Sequence, residues 1–333
     1  MPPQIVLYRY DASLFSWKIE KTLLLKQIPH AKVNVAPVLP RPEITDLLGL
    51  TYRRIPVLAI GNDIYCDTSL IIPALERRFP AQQGYGTVFP KRHGAPRNSA
   101  DPLLRAFAKH YADDILFPLA TAMLPWDKVP SSFIDDRSTL LGPINVDRIK
   151  QLRGPNLSKL TTHLSLINEQ LADGREWLFD TVEPSLADVA VHFIYDWLRT
   201  MPDTESLFDS SKFPYAVKWL DHYTAHLEDL KKRSTVPQLI SGTDAAKLIA
   251  SSSYESYDVV GFDQTEAKRL GLVAGQMVSM IPDDTGPRFA TTGKLVCLNR
   301  EEFTIEIKGS AGVFRAHFPR IGFTAKLIRE GKL

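Results

Sequence analysis

Cysteine is scarce in this sequence: two in 333 residues, Cys66 and Cys297, far apart along the chain. So few thiols build neither a disulfide framework nor a cysteine-based metal cluster, and a reducing compartment is the expectation. Net charge is almost missing as well. Forty basic residues against 38 acidic ones leave +2, which argues against electrostatic capture of nucleic acid or of an anionic membrane. No apolar run approaches the ~18 residues that a membrane span needs. The opening MPPQIVLYRYD reads as neither a signal peptide nor a myristoylation site. A cytoplasmic location is the expectation. No internal repeat is found.

What remains is an ordinary globular composition, 44% hydrophobic and 23% charged, with length for two or three domains. Residues 1–79 alternate strand and helix. IVLY (Ile5–Tyr8) is short, β-branched and aromatic and reads as a buried strand. In DASLFSWKIEKTLLLKQI (Asp11–Ile28), Phe15, Ile19, Leu23 and Lys26 recur at helical spacing, widened by Leu24 and Leu25. AKVNVAPV (Ala31–Val38) predicts a second strand and PEITDLLGL (Pro42–Leu50) a short helix opened by proline. IPVLAI (Ile55–Ile60) and DIYC (Asp63–Cys66) predict two strands joined by the hairpin signal Gly61–Asn62, and DTSLIIPALERRF predicts a helix that Pro73 kinks. The predicted order is β-α-β-α-β-β-α.

The stretch Pro80–Ser99 has no period and reads as a linker, its basic KRHGAPR as a solvated loop. Asp101 followed by Pro102 reads as a helix N-cap, and the chain is helical from there to about Lys232. Composition shifts once more after SSSYESYD (Ser251–Asp258). MVSMI, TTGKLVCL, EEFTIEIKG and VFRAHFPRIGFTAKLI, separated by turn signals, predict a separate small β domain, barrel-like and closed. His222 and His226 stand four apart on a predicted helix, but no third ligand accompanies them and no metal site is assigned.

Three local motifs stand out, two where chemistry could be done and one with a role in folding. RRIPVLAIGNDIYCDTSLII places Pro56 before a strand and an acidic residue, Asp67, followed by a hydroxyl residue, Thr68, at the next helix start. SLFSWKIEKTLLLKQI places Ser13 at the start of the first helix and a Ser16–Trp17 pair just inside it. PSLADVAVHFIYDWL sets Ser185 and Asp188 three apart ahead of a core helix, as in a capping box. With the element order, these motifs resemble the cytosolic glutathione transferase superfamily over residues 4–232, with a zeta- or omega-like N-terminal motif; the β domain beyond is loosely similar to that of extended fungal members. The resemblance implies an α+β multidomain fold. Residues 1–80 would form a thioredoxin-like βαβαββα domain that binds glutathione, 100–240 an all-α domain that binds the second substrate, and 257–333 a small all-β, barrel-like domain of unknown role.

The residues fit that implication physically. A cis bond before Pro56, which proline makes accessible, would free the Ile55 backbone to pair with the cysteinyl part of glutathione as a strand edge does. Asp67 and Thr68 would receive the γ-glutamyl carboxylate at a helix N-terminus. Arg54, or Arg53, would meet the glycine carboxylate; a solvated surface arginine is the alternative. Ser13 would donate a hydrogen bond to the glutathione thiolate, whose pKa in free thiols is about 8.5. Ser13 as a cap alone, or Tyr10 or Tyr8 as the donor, stay open, and Leu14 stands where the family usually has a proline two residues into the motif. Phe15, His110, Tyr111 and Phe117 would line the pocket for an apolar electrophile, with core packing as the alternative for an aromatic there. The implied activity is conjugation of glutathione, or thiol-assisted isomerisation, in a homodimer, with no metal. Its rivals are a non-catalytic binding or assembly module and a glutathione-independent enzyme of the same fold.

Overall fold

The computed structural model describes residues 3–94 and 102–328, so the expected cap at Asp101 lies outside the described residues. The chain opens with β1 (Ile5–Arg9), α1 (Leu14–Leu25), β2 (Ala31–Asn34), α2 (Pro42–Thr45), β3 (Val57–Ile60), β4 (Asp63–Cys66) and α3 (Thr68–Arg78), in the expected order. β2 and α2 end earlier than their apolar patterns suggest, and α3 runs through Pro73 without ending there. β1 pairs parallel with β2 and antiparallel with β3, and β3 turns into β4 at Gly61–Asn62.

The helical region begins with α4 (Pro102–Ala106), widens into π-helical turns over Phe107–Leu116, and continues as α5 (Phe117–Thr121). Next come α6 (Ser131–Leu141), α7 (Val146–Gln170), α8 (Leu186–Leu198) and α9 (Pro214–Arg233). The capping motif of α8 forms as its spacing implies. The buried carboxylate of Asp188 accepts the Ser185 backbone N–H at 2.8 Å and hydroxyl at 2.7 Å, the Leu178 N–H at 2.9 Å and the Trp219 indole N–H at 3.0 Å. His222 pairs with Glu176 at 2.9 Å, and both it and His226 pack on Trp177.

The remainder holds β5 (Gln238–Leu239), α10 (Gly242–Ala250), α11 (Tyr257–Val260), α12 (Gln264–Leu270), β6 (Met277–Pro282), β7 (Thr291–Leu298), β8 (Glu302–Gly309), β9 (Gly312–Pro319) and β10 (Phe323–Leu327). The strand-rich region is present, and its strands do not form a sheet of their own. β9 pairs parallel with β4, and β5 pairs parallel with β2, giving one ten-stranded sheet in the order β10-β6-β7-β8-β9-β4-β3-β1-β2-β5. The ladder has two ends, at β10 and β5, where the sequence pattern suggested a closed sheet.

The apolar run of β1 is unbroken because both faces of the sheet are covered. Alternate side chains of a strand point to opposite faces. Ile5 and Leu7 therefore enter one core with α1, α3 and the helical domain, and Val6 and Tyr8 enter a second. That second core runs on through Ala245 and Ile249 of α10 into Val278, Leu295, Ile305 and Phe314 of the strand-rich region. Backbones touch at this seam. A Cβ on Gly309 would stand 2.2 Å from the Leu47 carbonyl oxygen, and one on Gly49, at φ +73°, 2.3 Å from that of Lys308. Only glycine permits that approach.

An ionic lock closes the β4–β9 junction. His317, opposite Tyr65 in the register, stacks on its ring at 4.4 Å. Its Nδ1 lies 2.8 Å from Glu302 Oε2 and its Nε2 3.2 Å from Asp63 Oδ1, all three side chains being buried. Asp63 also pairs with Arg78 at 2.9 Å, and Glu302 with Arg77 at 2.9 Å. Burial alone would depress the imidazole pKa, but hydrogen bonds to Asp63 and Glu302 outweigh it and raise the pKa above its ordinary 6.5. Burial would likewise raise both carboxyls, and the bond to His317 outweighs it, holding them below 3.8 and 4.5.

The sign of the pH dependence follows from these directions. The His317 contribution is full below pH 6.5 and fades as pH rises through the raised folded value. The Asp63 and Glu302 contributions are full above pH 4.5 and fade as pH falls through their depressed values. Replacing His317 with Gln takes the shared partner from two buried carboxylates and leaves each with its arginine alone, which lowers stability by roughly 3 kcal/mol. Urea denaturation at several pH values checks this: the gap between wild type and His317→Gln is widest between pH 4.5 and 6.5 and narrows on either side.

Candidate functional site

Strand pairing gathers the candidate residues. Tyr8 lies opposite Val57, and Val57 opposite Cys66. The loop after β1, the approach to β3 and the turn after β4 therefore leave the sheet at one end, on neighbouring strands about 4.8 Å apart. Ser13, Ile55–Pro56 and Asp67–Thr68 occupy these three segments.

Ser13 caps α1. Its hydroxyl oxygen accepts the Ser16 backbone N–H at 3.3 Å, and the residue is buried at the helix start. The hydroxyl hydrogen meets no acceptor among the described residues, so capping leaves it free to donate to a ligand. Tyr10 is engaged elsewhere: its hydroxyl accepts from Arg137 Nη2 of α6 at 3.1 Å, and Arg41 lies 5.8 Å from its ring. Tyr8 is fully buried in the second core, with its hydroxyl unpaired.

The Ile55–Pro56 bond is cis. The N–H and C=O of Ile55 make no hydrogen bond among the described residues. Asp67 has φ +71°, a conformation that few residues other than glycine adopt. Its carboxylate accepts the Ser69 N–H at 3.0 Å and hydroxyl at 2.7 Å, which orders the first turn of α3. Thr68 is 5% exposed, and neither its N–H nor its hydroxyl has a partner among the described residues. It faces a cavity of about 360 Å³ lined also by Ser69, Lys18, Lys109, His110 and Asp113.

The far wall of that cavity is electrostatically built. Lys18 holds both oxygens of Asp113, at 2.8 and 2.7 Å, in a buried pair between the two domains. Burial pushes the Asp113 carboxyl up to about 6, although Lys18 pulls it the other way. Lys109 meets Asp114, five residues on, at 2.7 Å, a spacing that the π-helical turn brings into contact.

The four expected pocket residues do not form one wall. His110 is exposed, binds Asp114 at 3.1 Å and lines the cavity with Thr68. Phe15 packs on Phe117 at 4.6 Å and on Phe193 at 5.8 Å, between the domains. Tyr111 stacks on Phe107 at 4.8 Å and shares a hydrogen bond with His163 of α7 at 3.2 Å. Adjacent residues of a helix point in different directions, so His110 reaches the cavity and Tyr111 does not.

Arg54 is not a solvated arginine. Its Nη2 donates to Asp284, to the Thr285 carbonyl at 2.7 Å and to the Thr285 hydroxyl at 2.9 Å, all in the loop between β6 and β7. Its Nη1 lies 3.9 Å from Asp67. Arg53 is held by Asp136 of α6 at 2.6 Å and lies over Phe289 at 4.7 Å. Sequence reasoning passed over Lys18, Asp113 and Asp284. Lys18 sits three residues after Phe15 and beside Ile19, a spacing that could have marked it as buried; nothing local marks Asp284.

Residues 7–83 match the family described as the N-terminal domain of glutathione S-transferase, and residues 116–232 match a domain of unknown function, DUF7962. No curated protein matches the sequence. Among solved structures, a GST-like protein from Pseudomonas syringae aligns over 98% of this chain and 100% of its own, with 26% identity and a TM-score of 0.72. That alignment takes in the strand-rich region. Rice GST1, solved in complex with glutathione, aligns over 75% of this chain and 96% of its own at 16% identity and a TM-score of 0.51. A Tau class glutathione S-transferase from mango, Mangifera indica, aligns over 74% and 99% at 15% identity and a TM-score of 0.50. These two share the fold. Residues 7–83 are thus similar to the glutathione S-transferase N-terminal domain, and the whole chain shares its fold with a GST-like protein, in a form whose thioredoxin-like sheet continues into a strand-rich C-terminal region.

Proposed function

We propose that this protein binds glutathione at the end of its sheet and activates the thiol for attack on an apolar electrophile. One observation carries the reading: Thr68, buried at the N-terminus of α3, lines the cavity, and its N–H and hydroxyl have no partner among the described residues. An α-carboxylate such as that of the γ-glutamyl group satisfies both, with the helix dipole in its favour. The unpaired backbone of Ile55 suits the cysteinyl segment, and the free hydrogen of Ser13 suits the thiolate. The rice relative, solved in complex with glutathione, supports the same choice of ligand.

The chemistry then rests on the thiol's ionisation. A hydroxyl donor at a helix N-terminus lowers the thiol pKa through a charge-assisted hydrogen bond and the dipole. Ser13 stays a donor throughout and forms no bond to the substrate. Conjugation to an electrophile and thiol-assisted isomerisation both follow from such a thiolate, and thiol-disulfide exchange through Ser13 does not, since a hydroxyl forms no mixed disulfide. A homodimer of this chain is built from surfaces other than the outer edge of β4, which β9 fills. No described helix is long and apolar enough to cross a membrane.

Isothermal titration with glutathione at neutral pH gives millimolar or tighter binding, weakened about tenfold in Thr68→Ala; absence of binding to the wild type sinks the reading. Replacing Ser13 with Ala leaves glutathione affinity near the wild-type value and raises the pKa of the bound thiol. The ultraviolet absorbance of the thiolate, followed against pH, reads that shift, and an unchanged titration removes Ser13 from the mechanism.

A further inference from the structure

A second cavity lies against α1. It encloses about 690 Å³ between α1, the start of β2, α8 and the end of α9, and shares no lining residue with the cavity at Thr68. That size suits a small organic ligand. Trp17, Leu24, Ile28 and Leu227 give it apolar walls. Lys21 of α1 lines it too, with a side chain 13% exposed.

The hydrogen bonds of Lys21 are set by its neighbours. The Thr224 hydroxyl donates to the Leu220 carbonyl at 2.9 Å, so it accepts from His192 Nε2, also at 2.9 Å. His192 therefore carries its hydrogen on Nε2, and burial and then Lys21 hold its pKa well below 6.5. Its Nδ1 is left as an acceptor. Lys21 Nζ donates to that nitrogen at 2.8 Å and to Asp196 Oδ2 at 2.9 Å. These are two bonds for a group with three hydrogens as an ammonium and two as an amine. Loss of the third proton breaks neither bond and leaves a lone pair where that proton stood. Lys18, one turn before, contrasts: it holds both oxygens of Asp113 and is 2% exposed.

The surrounding charges favour that loss. Burial lowers the pKa of Lys21 from 10.5 more than Asp196 raises it, and Lys231 lowers it further. The other charged groups of the cavity are engaged with one another or with the backbone. Lys32 is paired with Glu20 and Lys231 with Glu228, Arg233 donates to the Asp229 carbonyl at 3.2 Å, and His30 Nδ1 lies 3.0 Å from the Ile28 carbonyl. Among the described residues Asp196 is thus the one carboxylate that Lys21 meets. Desolvation in an apolar pocket is how a lysine amine becomes a nucleophile near neutral pH.

We propose that Lys21 is a nucleophilic amine and that this cavity takes an apolar aldehyde, held as an imine on Nζ. The amine adds to the carbonyl carbon; the oxygen leaves as water with both amine hydrogens, and a carbon–nitrogen double bond remains. No oxidant or reductant is consumed. Protonated, the imine nitrogen keeps one N–H for Asp196.

Reductive labelling tests this. The protein is held at neutral pH with hexanal and cyanoborohydride, which reduces the imine to a stable secondary amine, and peptide mass spectrometry locates the modified lysines. In wild type, Lys21 is labelled about tenfold or more faster than the well exposed Lys212 and Lys232, since each unit of lowered pKa gives about tenfold more free amine. Its labelling rate rises with pH to a midpoint below 10.5. Asp196→Asn removes the charge that holds the proton on, so labelling at neutral pH is faster and the midpoint falls. Asp196 is a third exposed and the change is isosteric, so the variant keeps its fold. Lys21→Arg loses the fast label and retains the slow ones. Labelling of Lys21 no faster than that of Lys212, or a rate unchanged or slowed in Asp196→Asn, overturns the proposal and leaves the glutathione site standing, since the two cavities share no residue.

Discussion

The architecture hangs on a buried imidazole. His317 lies between Asp63 of β4 and Glu302 of β8, stacked on Tyr65, where a parallel strand from the C-terminal region meets the first sheet. Parallel pairing over three residues is a small contact in backbone terms. What holds it is an imidazole placed between two buried carboxylates, each of which would be strongly destabilising without partners. Arg77 and Arg78 of α3 complete the arrangement, so the helix that presents Thr68 is tied to the same network.

This junction makes the strand-rich region part of the site. With β9 seated on β4, the β6–β7 loop reaches Arg54 and α6, and Arg300 and Ile321 reach the rim of the cavity that Thr68 faces. The first domain supplies the donors: a serine hydroxyl, an unpaired backbone segment and the start of α3. The helical domain supplies a wall in which Asp113 pairs with Lys18 of α1. The C-terminal region contributes Asp284 and Thr285, which hold Arg54 beside the approach to β3.

Much of this was legible along the chain, because it is local. The continuous apolar run of Ile5–Tyr8, the Gly61–Asn62 turn, the hydroxyl before α1 and the acidic-hydroxyl pair before α3 depend on residues within a few positions of one another. So does the Ser185–Asp188 capping motif. The same locality explains the boundaries that shifted: β2 and α2 stop where their neighbours end, which an apolar pattern does not record. His110 and Tyr111, grouped by the linear reading, part because neighbours on a helix point in different directions, one to the cavity and one to His163.

The sequence by itself determined the strand and helix order, the resemblance of its first domain and the candidate donors Ser13 and Thr68, since hydrogen-bond caps and apolar strand runs act over short spans. Only the tertiary structure decided that the last strands extend the first sheet instead of closing on themselves. The reason is that Asp63 and His317 stand 254 positions apart and carry no mark of each other. It likewise decided that Arg54 faces Asp284, 230 positions away, because a charge acts on whatever the fold brings near it.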